Sequence, residues 1–153
     1  MQLSIDVEDE RWTAIPDLET ILDRAAKAVA VREAFDGEIN LILVDDPVMQ
    51  ELNKSWRGKD KPTNVLSFPA PAGLTIPPGE MAPLGDIAMS YDTLAMEASR
   101  DHKSLVDHMT HLFIHGLLHL LGHDHETEAE ALAMEALEVE ILAGFGIANP
   151  YMA

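Results

Sequence analysis

Three histidines in the last third of the chain have the spacing of a metal site. His115 and His119 are four residues apart, so on a helix they lie on one face, about one turn apart, and both imidazoles can reach the same ion. Gly122 permits a sharp reversal of the chain that would bring His125 back toward this pair. Three imidazoles leave a coordination position open, which is the arrangement of catalytic zinc, whereas structural zinc usually has four ligands. The spacing therefore predicts a reactive zinc ion.

All seven histidines lie within 24 residues, and four of them remain outside this predicted triad. His111 shares a helical face with His119 but is eight residues away, a separation of roughly 12 Å at 1.5 Å per residue, so the two cannot hold one ion. We interpret His111 as a neighbour of the site and His102 and His108 as solvent-facing. For His123 the sequence allows two positions, one beside the metal and one on the surface.

The residue after the first predicted ligand bears on the reaction. In the peptidase motif H-E-x-x-H, the glutamate after the first histidine is the general base, but this chain has Gly116 there. A metallopeptidase would need a base from elsewhere and is the less favoured alternative. Zinc can still generate a hydroxide and polarise a phosphoryl oxygen, so phosphodiester hydrolysis fits. Arg57 is the candidate cation for stabilising the negative charge that develops on phosphate.

Composition places the chain among ordinary globular proteins. Its 153 residues fit one domain, and 47% are hydrophobic and 24% charged, which is close to the usual proportions. The chain has no cysteine, so thiolate ligands are excluded. The first ten residues do not resemble an export signal and no run of about 18 apolar residues occurs. We therefore expect a cytoplasmic protein with no membrane span.

The charge of the chain is strongly negative but unevenly distributed. The formal net charge of −17 repels nucleic acids and anionic membranes as a whole. However, Lys54, Arg57, Lys59 and Lys61 place four of the ten basic residues within eight positions. This basic segment provides a local patch that can meet phosphate.

Hydrophobic periodicity and capping signals predict an α+β fold. Strands are expected at residues 3–7, 39–44, 63–68 and 84–90, and helices are expected to begin at 17, 46, 91, 104 and 127. The proline-rich stretch 69–83 is expected to be an exposed loop. The prediction is therefore a single domain over residues 1–153, with a mixed four-stranded sheet packed with helices and the zinc site on a central helix and its return loop.

Segments 53–69 and 115–125, together with the short match Leu84–Ile87, strongly resemble the YbeY family. Members of that family are bacterial metal-dependent endoribonucleases with a metzincin-like zinc site on an α+β fold. The resemblance implies a zinc-dependent, single-strand-specific endoribonuclease. It also implies that the enzyme acts in maturation of the 3′ end of small-subunit ribosomal RNA and in ribosome quality control.

The resemblance assigns roles to four residues directly. It makes His115, His119 and His125 the zinc ligands and Arg57 the basic residue of the active-site cleft. His123 is a departure, because the family commonly has tyrosine at this position. We predict that His123 contacts the zinc ligands without binding the metal. The alternative that His123 is a fourth ligand, which would close the site, is not excluded by the sequence.

Other residues of the matched segments are weaker candidates. Lys59 and Lys61 are candidates for phosphate contact or for a plain solvated face. Asn64 and Ser67 are candidates for substrate contact, or for backbone hydrogen bonding beside a turn. Asp124 is a candidate acceptor that orients a ligand imidazole.

The expected partners are ribosomal RNA and the ribosome or its proteins, with no DNA. An acidic chain binds naked RNA weakly, so we expect a ribosomal partner to assist substrate recognition. An alternative is a ribosome-associated assembly factor in which zinc mainly stabilises the fold.

Overall fold

A four-stranded mixed sheet forms the centre of the fold. The computed structural model describes residues 1–71 and 73–152. The strands are β1 (Gln2–Val7), β2 (Glu38–Val44), β3 (Val65–Pro69) and β4 (Pro83–Ser90). The helices are α1 (Leu18–Glu33), α2 (Asp46–Arg57), α3 (Tyr91–Arg100), α4 (Leu105–Leu120) and α5 (Glu128–Ala143). A short 3-10 helix at Glu10–Ala14 was not predicted from the sequence.

The strands lie in the order β1-β2-β4-β3. β1, β2 and β4 are parallel to one another, and β3 pairs with β4 in the antiparallel direction. The predicted α+β class with a mixed four-stranded sheet is therefore confirmed. β3 is an edge strand, and its position at the edge leaves room beside it for the functional site.

Helices cover both faces of the sheet and produce two cores. Alternate residues of β2, Ile39, Leu41 and Leu43, are fully buried against α1 and α4 in the larger core. On the other face, the smaller core joins Met49 of α2 to Leu66 of β3. α3 and α5 pack on α4, so α4 has neighbours on several sides and is the central helix.

Side-chain caps fix the ends of α4 and α5 as the sequence predicts. The hydroxyl of Ser104 accepts the N–H of Asp107 at 3.0 Å, and the hydroxyl of Thr127 accepts that of Glu130 at 3.1 Å. After α4, Gly122 adopts a φ of +98°, which favours glycine. The chain reverses there, as expected.

The cap of α2 differs from the prediction by one residue. The Asp45 side chain accepts the N–H of Val48 at 3.0 Å and is the cap, whereas the Asp46-Pro47 pair in the sequence predicts Asp46 as the cap, with proline at the first helical position. Asp46 is instead the first helical residue, and its carboxylate accepts a hydrogen bond from Thr93 at 2.6 Å. The cause is a tertiary contact with α3 that the local sequence does not reveal.

The proline-rich stretch has no regular structure in its described part, residues 70–71 and 73–82. This agrees with the predicted loop. The longest helices, α1, α4 and α5, have 16 residues each. Within residues 1–71 and 73–152, no helix has both the length and the apolar character needed to cross a bilayer.

Helix α4 approaches the sheet most closely at Gly116. A β-carbon at this position would lie 3.1 Å from Val65, 3.2 Å from Ile87 and 3.2 Å from the hydroxyl of Ser67. The same hydroxyl donates to the Gly116 carbonyl at 2.8 Å. A side chain here would therefore crowd the contact between the helix and strands β3 and β4.

Replacing Gly116 with alanine is expected to destabilise the protein. In a helix interior this change normally stabilises by about 0.5–1 kcal/mol, but overpacking a core typically costs about 1–3 kcal/mol. We expect a net decrease of about 1 kcal/mol or more in the free energy of unfolding, measured by urea denaturation. Gly144→Ala is the comparison variant, because a β-carbon there would crowd one atom, the Ile141 carbonyl oxygen at 3.3 Å, instead of three side-chain atoms. Increased stability of Gly116→Ala would contradict the packing argument.

Candidate metal centre

Helix α4 places two of the predicted ligands one turn apart. The ring centres of His115 and His119 are 4.6 Å apart, and their Nε2 atoms are 3.2 Å apart. Two nitrogens bound to one tetrahedral zinc at 2.0–2.1 Å would be separated by about 3.3 Å. The observed separation therefore fits two ligands of one ion.

The turn after α4 brings the third histidine to this pair. The ring centre of His125 is 4.9 Å from that of His119 and 5.9 Å from that of His115. Each of the three residues offers a nitrogen, and these nitrogens all lie within 4.8 Å of one another. The described structure thus brings together the three histidines that the sequence singled out, in an arrangement that could hold a metal ion.

The electrostatics of the cluster favour a neutral imidazole at His119, the form that binds metals. The pKa of His119 is lowered, first because burial disfavours its charged form and then because His115 and His125 repel a further positive charge. The local environment therefore keeps a nitrogen lone pair available for coordination.

A buried carboxylate that the sequence did not reveal, Glu138, binds the ring nitrogen of His115 that faces away from the cluster. Oε1 of Glu138 lies 3.1 Å from Nδ1 of His115 and 2.8 Å from Nε2 of His111, and it accepts the hydroxyl hydrogen of Tyr151 at 2.9 Å. A carboxylate can only accept when ionised, so Nδ1 of His115 carries the hydrogen and Nε2 keeps its lone pair for the ion. Glu138 therefore orients His115 and fixes its tautomer.

Glu138 remains ionised in spite of its burial. Desolvation alone raises its pKa, but the hydrogen bonds from His111 and His115 outweigh that effect and lower the pKa to about 2. The sequence contains a signal for this role, because Met134, Glu138 and Ile141 have the spacing of one helical face and are all buried. His111 is a neighbour of the site, as predicted, and acts through this carboxylate.

The return loop is anchored on both sides of the cluster. Nε2 of His123 forms a hydrogen bond with Glu33 at the end of α1. The Asp124 carboxylate accepts the backbone N–H of His125 at 2.7 Å, so it contacts the backbone of a ligand rather than an imidazole. Both side chains line the cleft beside the cluster.

The three histidines of the cluster line a cleft of about 570 Å³, which is also lined by Arg57, Asn64 and Ser67. The Asn64 amide group donates to Glu97 at 3.1 Å, and its oxygen accepts the N–H of Val65 at 2.7 Å. Ser67 donates to α4 as described above. Both side chains therefore hold the wall of the cleft, while Arg57 is exposed at its rim.

The remaining basic and histidine candidates have different positions. Lys59 and Lys61 are exposed and are not among the residues that line the cleft. His102 is exposed, as predicted. The prediction for His108 is wrong, because this side chain is buried and lies 2.9 Å from the Glu97 carboxylate. Packing of α3 against α4 buries it.

The fold is similar to that of a solved structure. The solution structure of TM1509 from Thermotoga maritima aligns over 99% of both chains with a TM-score of 0.59. At 22% sequence identity, this likeness concerns the fold alone.

Sequence relatives are much closer. The endoribonuclease YbeY of Chelativorans sp. is 49% identical over 142 residues, which cover 92% of this chain and 86% of that protein. The endoribonuclease YbeY of Paramagnetospirillum magneticum is 45% identical over 157 aligned residues, covering 99% and 96% of the two chains. The family model described as Endoribonuclease YbeY matches residues 3–146. The resemblance seen in the sequence is thus confirmed, and this chain belongs to the endoribonuclease YbeY family.

Proposed function

We propose that this protein is a zinc-dependent endoribonuclease that cuts single-stranded ribosomal RNA. Its place is the maturation of the 3′ end of small-subunit ribosomal RNA and ribosome quality control, in the cytoplasm, with residues 1–153 acting as one hydrolase domain. Family membership supports the nuclease activity on RNA. The observation that carries the metal dependence is the convergence of three histidine nitrogens at an open cleft beside Arg57.

The donor set suits zinc that is available for reaction. His115, His119 and His125 would hold the ion, and Glu138 would keep the first of them in the binding tautomer. When bound, zinc supplies a Lewis acid for a phosphoryl oxygen and makes water acidic enough to attack near neutral pH. The cleft in front of the cluster leaves room for the substrate, which a purely structural site would not need.

Arg57 is proposed to bind the phosphate under attack. Its guanidinium stands at the rim of the cleft that the ligands line. A guanidinium offers fixed, two-pronged donation to phosphate and always carries charge. Arg57 would therefore stabilise the negative charge that grows on the phosphoryl oxygens as the bond to the leaving oxygen breaks.

No feature of the described residues favours peptidase activity. The position of the peptidase glutamate is Gly116, where a side chain would meet β3 and β4. Glu138 does not replace that glutamate, because it binds Nδ1 of His115 while Nε2 faces the cluster. The substrate is therefore a phosphodiester. Because the chain is strongly acidic, the ribosome or a ribosomal protein is proposed to assist RNA binding.

Removing the metal is expected to abolish RNA cleavage. We expect about one zinc ion per chain in native protein by mass spectrometry, loss of cleavage after chelation and recovery when zinc is returned. His119→Ala should lose both zinc and cleavage, whereas His102→Asn should keep both, because His102 is exposed and asparagine tolerates its positive φ of 55°. Full RNA cleavage by folded, metal-free protein would refute zinc dependence. Zinc binding without RNA cleavage would favour the assembly-factor alternative.

Replacing Arg57 should separate catalysis from metal binding. Arg57→Ala is expected to lower kcat by roughly 10²–10³, the loss typical of removing one group that stabilises transition-state charge. Zinc content and stability should not change, because the side chain is exposed. Arg57→Lys should recover part of the rate, since it keeps the charge but not the paired donors. Lys27→Ala, at an exposed basic residue on α1 that does not line the cleft, is the control. Equal kcat values for wild type and Arg57→Ala would exclude this role.

Glu138 should affect zinc affinity through His115. Glu138→Gln is expected to weaken zinc binding roughly 10–100-fold, the usual effect of changing a carboxylate that supports a metal-bound histidine. Competition with a chelating dye measures this affinity. Glu128→Gln, an exposed glutamate on the same helix, is the matched control. If Glu138→Gln does not fold, Tyr151→Phe removes one hydrogen bond to the same oxygen and should weaken zinc binding in the same direction. Unchanged zinc affinity in the folded variant would rule out the orienting role.

A further inference from the structure

An exposed aromatic side chain stands in an apolar groove on the other side of strand β3. Trp56 is 70% exposed, and its ring centre lies 5.6 Å from that of Phe68 at an interplanar angle of 59°. The groove has a volume of about 500 Å³ and is also lined by Ile42, Leu52 and Leu74. A groove that is lined by apolar side chains and open to solvent can receive the flat face of a ligand.

The groove is continuous with the metal cleft at the edge of the sheet. Ser67 points toward α4 and the cleft, so the next residue, Phe68, points to the opposite face, where it packs against the smaller core. Pro69 lines both the cleft and the groove. Arg57 follows Trp56 in the last turn of α2 and lines the cleft. A chain-like ligand can therefore lie in both by crossing the exposed edge of β3.

The segment around Trp56 carries positive charge without carboxylate partners. Of the six basic residues outside this segment, four form ion pairs with acidic groups: Arg11, Lys27, Arg32 and Arg100. In the described part of the chain, Lys54, Arg57, Lys59 and Lys61 form none. Between positions 54 and 61 the one acidic residue is Asp60, and Asp86 is the carboxylate of the groove lining. In a chain of net charge −17, this concentration of cations suits a polyanion.

We infer that Trp56 is a stacking platform for an unpaired nucleobase of the RNA substrate. The inference rests on the proposed function, because it takes single-stranded RNA as the ligand. The phosphate backbone would run from the basic segment across the β3 edge into the metal cleft. One base would turn outward from the RNA strand and stack on the indole. Aromatic side chains accept any base in this way, and neighbouring cations hold the backbone. A duplex keeps its bases stacked within the helix, so this site selects unpaired RNA.

Tryptophan fluorescence tests the contact directly. The chain has two tryptophans, and Trp12 is fully buried with its indole N–H donating to the Val44 carbonyl at 3.0 Å. Titration of zinc-loaded protein with a single-stranded 2′-O-methyl RNA octamer should quench the long-wavelength emission of Trp56. Trp56→Phe retains only the Trp12 signal, which should not respond to RNA. The same strand in a duplex should not quench, and equal quenching by duplex would overturn the inference.

Kinetics on a cleavable single-stranded RNA provide the second test. Trp56→Ala should weaken octamer binding and raise KM at least about fivefold, the lower end of the loss when a platform for one base is removed, with the effect on KM rather than kcat. Trp56→Phe should keep most of the affinity, because it preserves an aromatic face. Leu132→Ala, a change at another exposed apolar residue that is 63% exposed, is the control.

The outcomes separate this inference from the proposed function. Unchanged RNA affinity in folded Trp56→Ala, together with absent quenching, would overturn the stacking site, as expected if the groove instead binds a protein. If the wild type quenched and bound single-stranded RNA but did not cleave it, the nuclease proposal would fail and the stacking site would stand. Quenching together with the KM effect supports both.

Discussion

The close contact between helix α4 and the sheet at Gly116 determines where the histidines of the candidate metal site lie. Without a side chain at this position, the helix backbone comes near enough to β3 for the Ser67 hydroxyl to reach the Gly116 carbonyl. His115 is rotated by about 100° around the helix from Gly116, so it projects beside the edge strand rather than into the core. Phe113 and Leu117, on the buried side, fill that core. The distance between helix α4 and the sheet thus sets the position of the histidine cluster relative to the cleft.

The buried carboxylate of Glu138 contacts His115 on the side of the ring opposite to the cluster. Burying a charge is costly unless it is compensated, and three hydrogen-bond donors converge on Oε1. Its other oxygen, Oε2, is buried and has no hydrogen-bond partner among the described residues. A fold selected for stability alone gains little from such a group. What this carboxylate does instead is orient His115, whose Nδ1 lies 3.1 Å from Oε1.

Local signals in the sequence were sufficient for most of the fold and for the grouping of the three histidines. The caps at Ser104 and Thr127 and the spacing of the histidines each depend on residues close in the chain, and the structure agrees with them. The missed features depend on distant contacts. Glu138 is 23 residues from His115, and only the docking of α5 brings them together. The burial of His108 likewise requires α3. Periodicity alone cannot show which neighbour covers a polar side chain.

The position of His123 bears on how many protein nitrogens the candidate metal site offers. A histidine so near the cluster offers a fourth nitrogen, and four protein ligands would leave no position for a reaction. However, Nε2 of His123 is bonded to Glu33, and the backbone N–H of His123 is bonded to the Leu118 carbonyl at 3.0 Å. These two contacts tie both the ring and the backbone to neighbouring helices. Among the described residues, the metal-binding cluster accordingly contains His115, His119 and His125 and not His123. His123 therefore anchors the return loop to α1 and α4, and the three histidine nitrogens face the cleft without it.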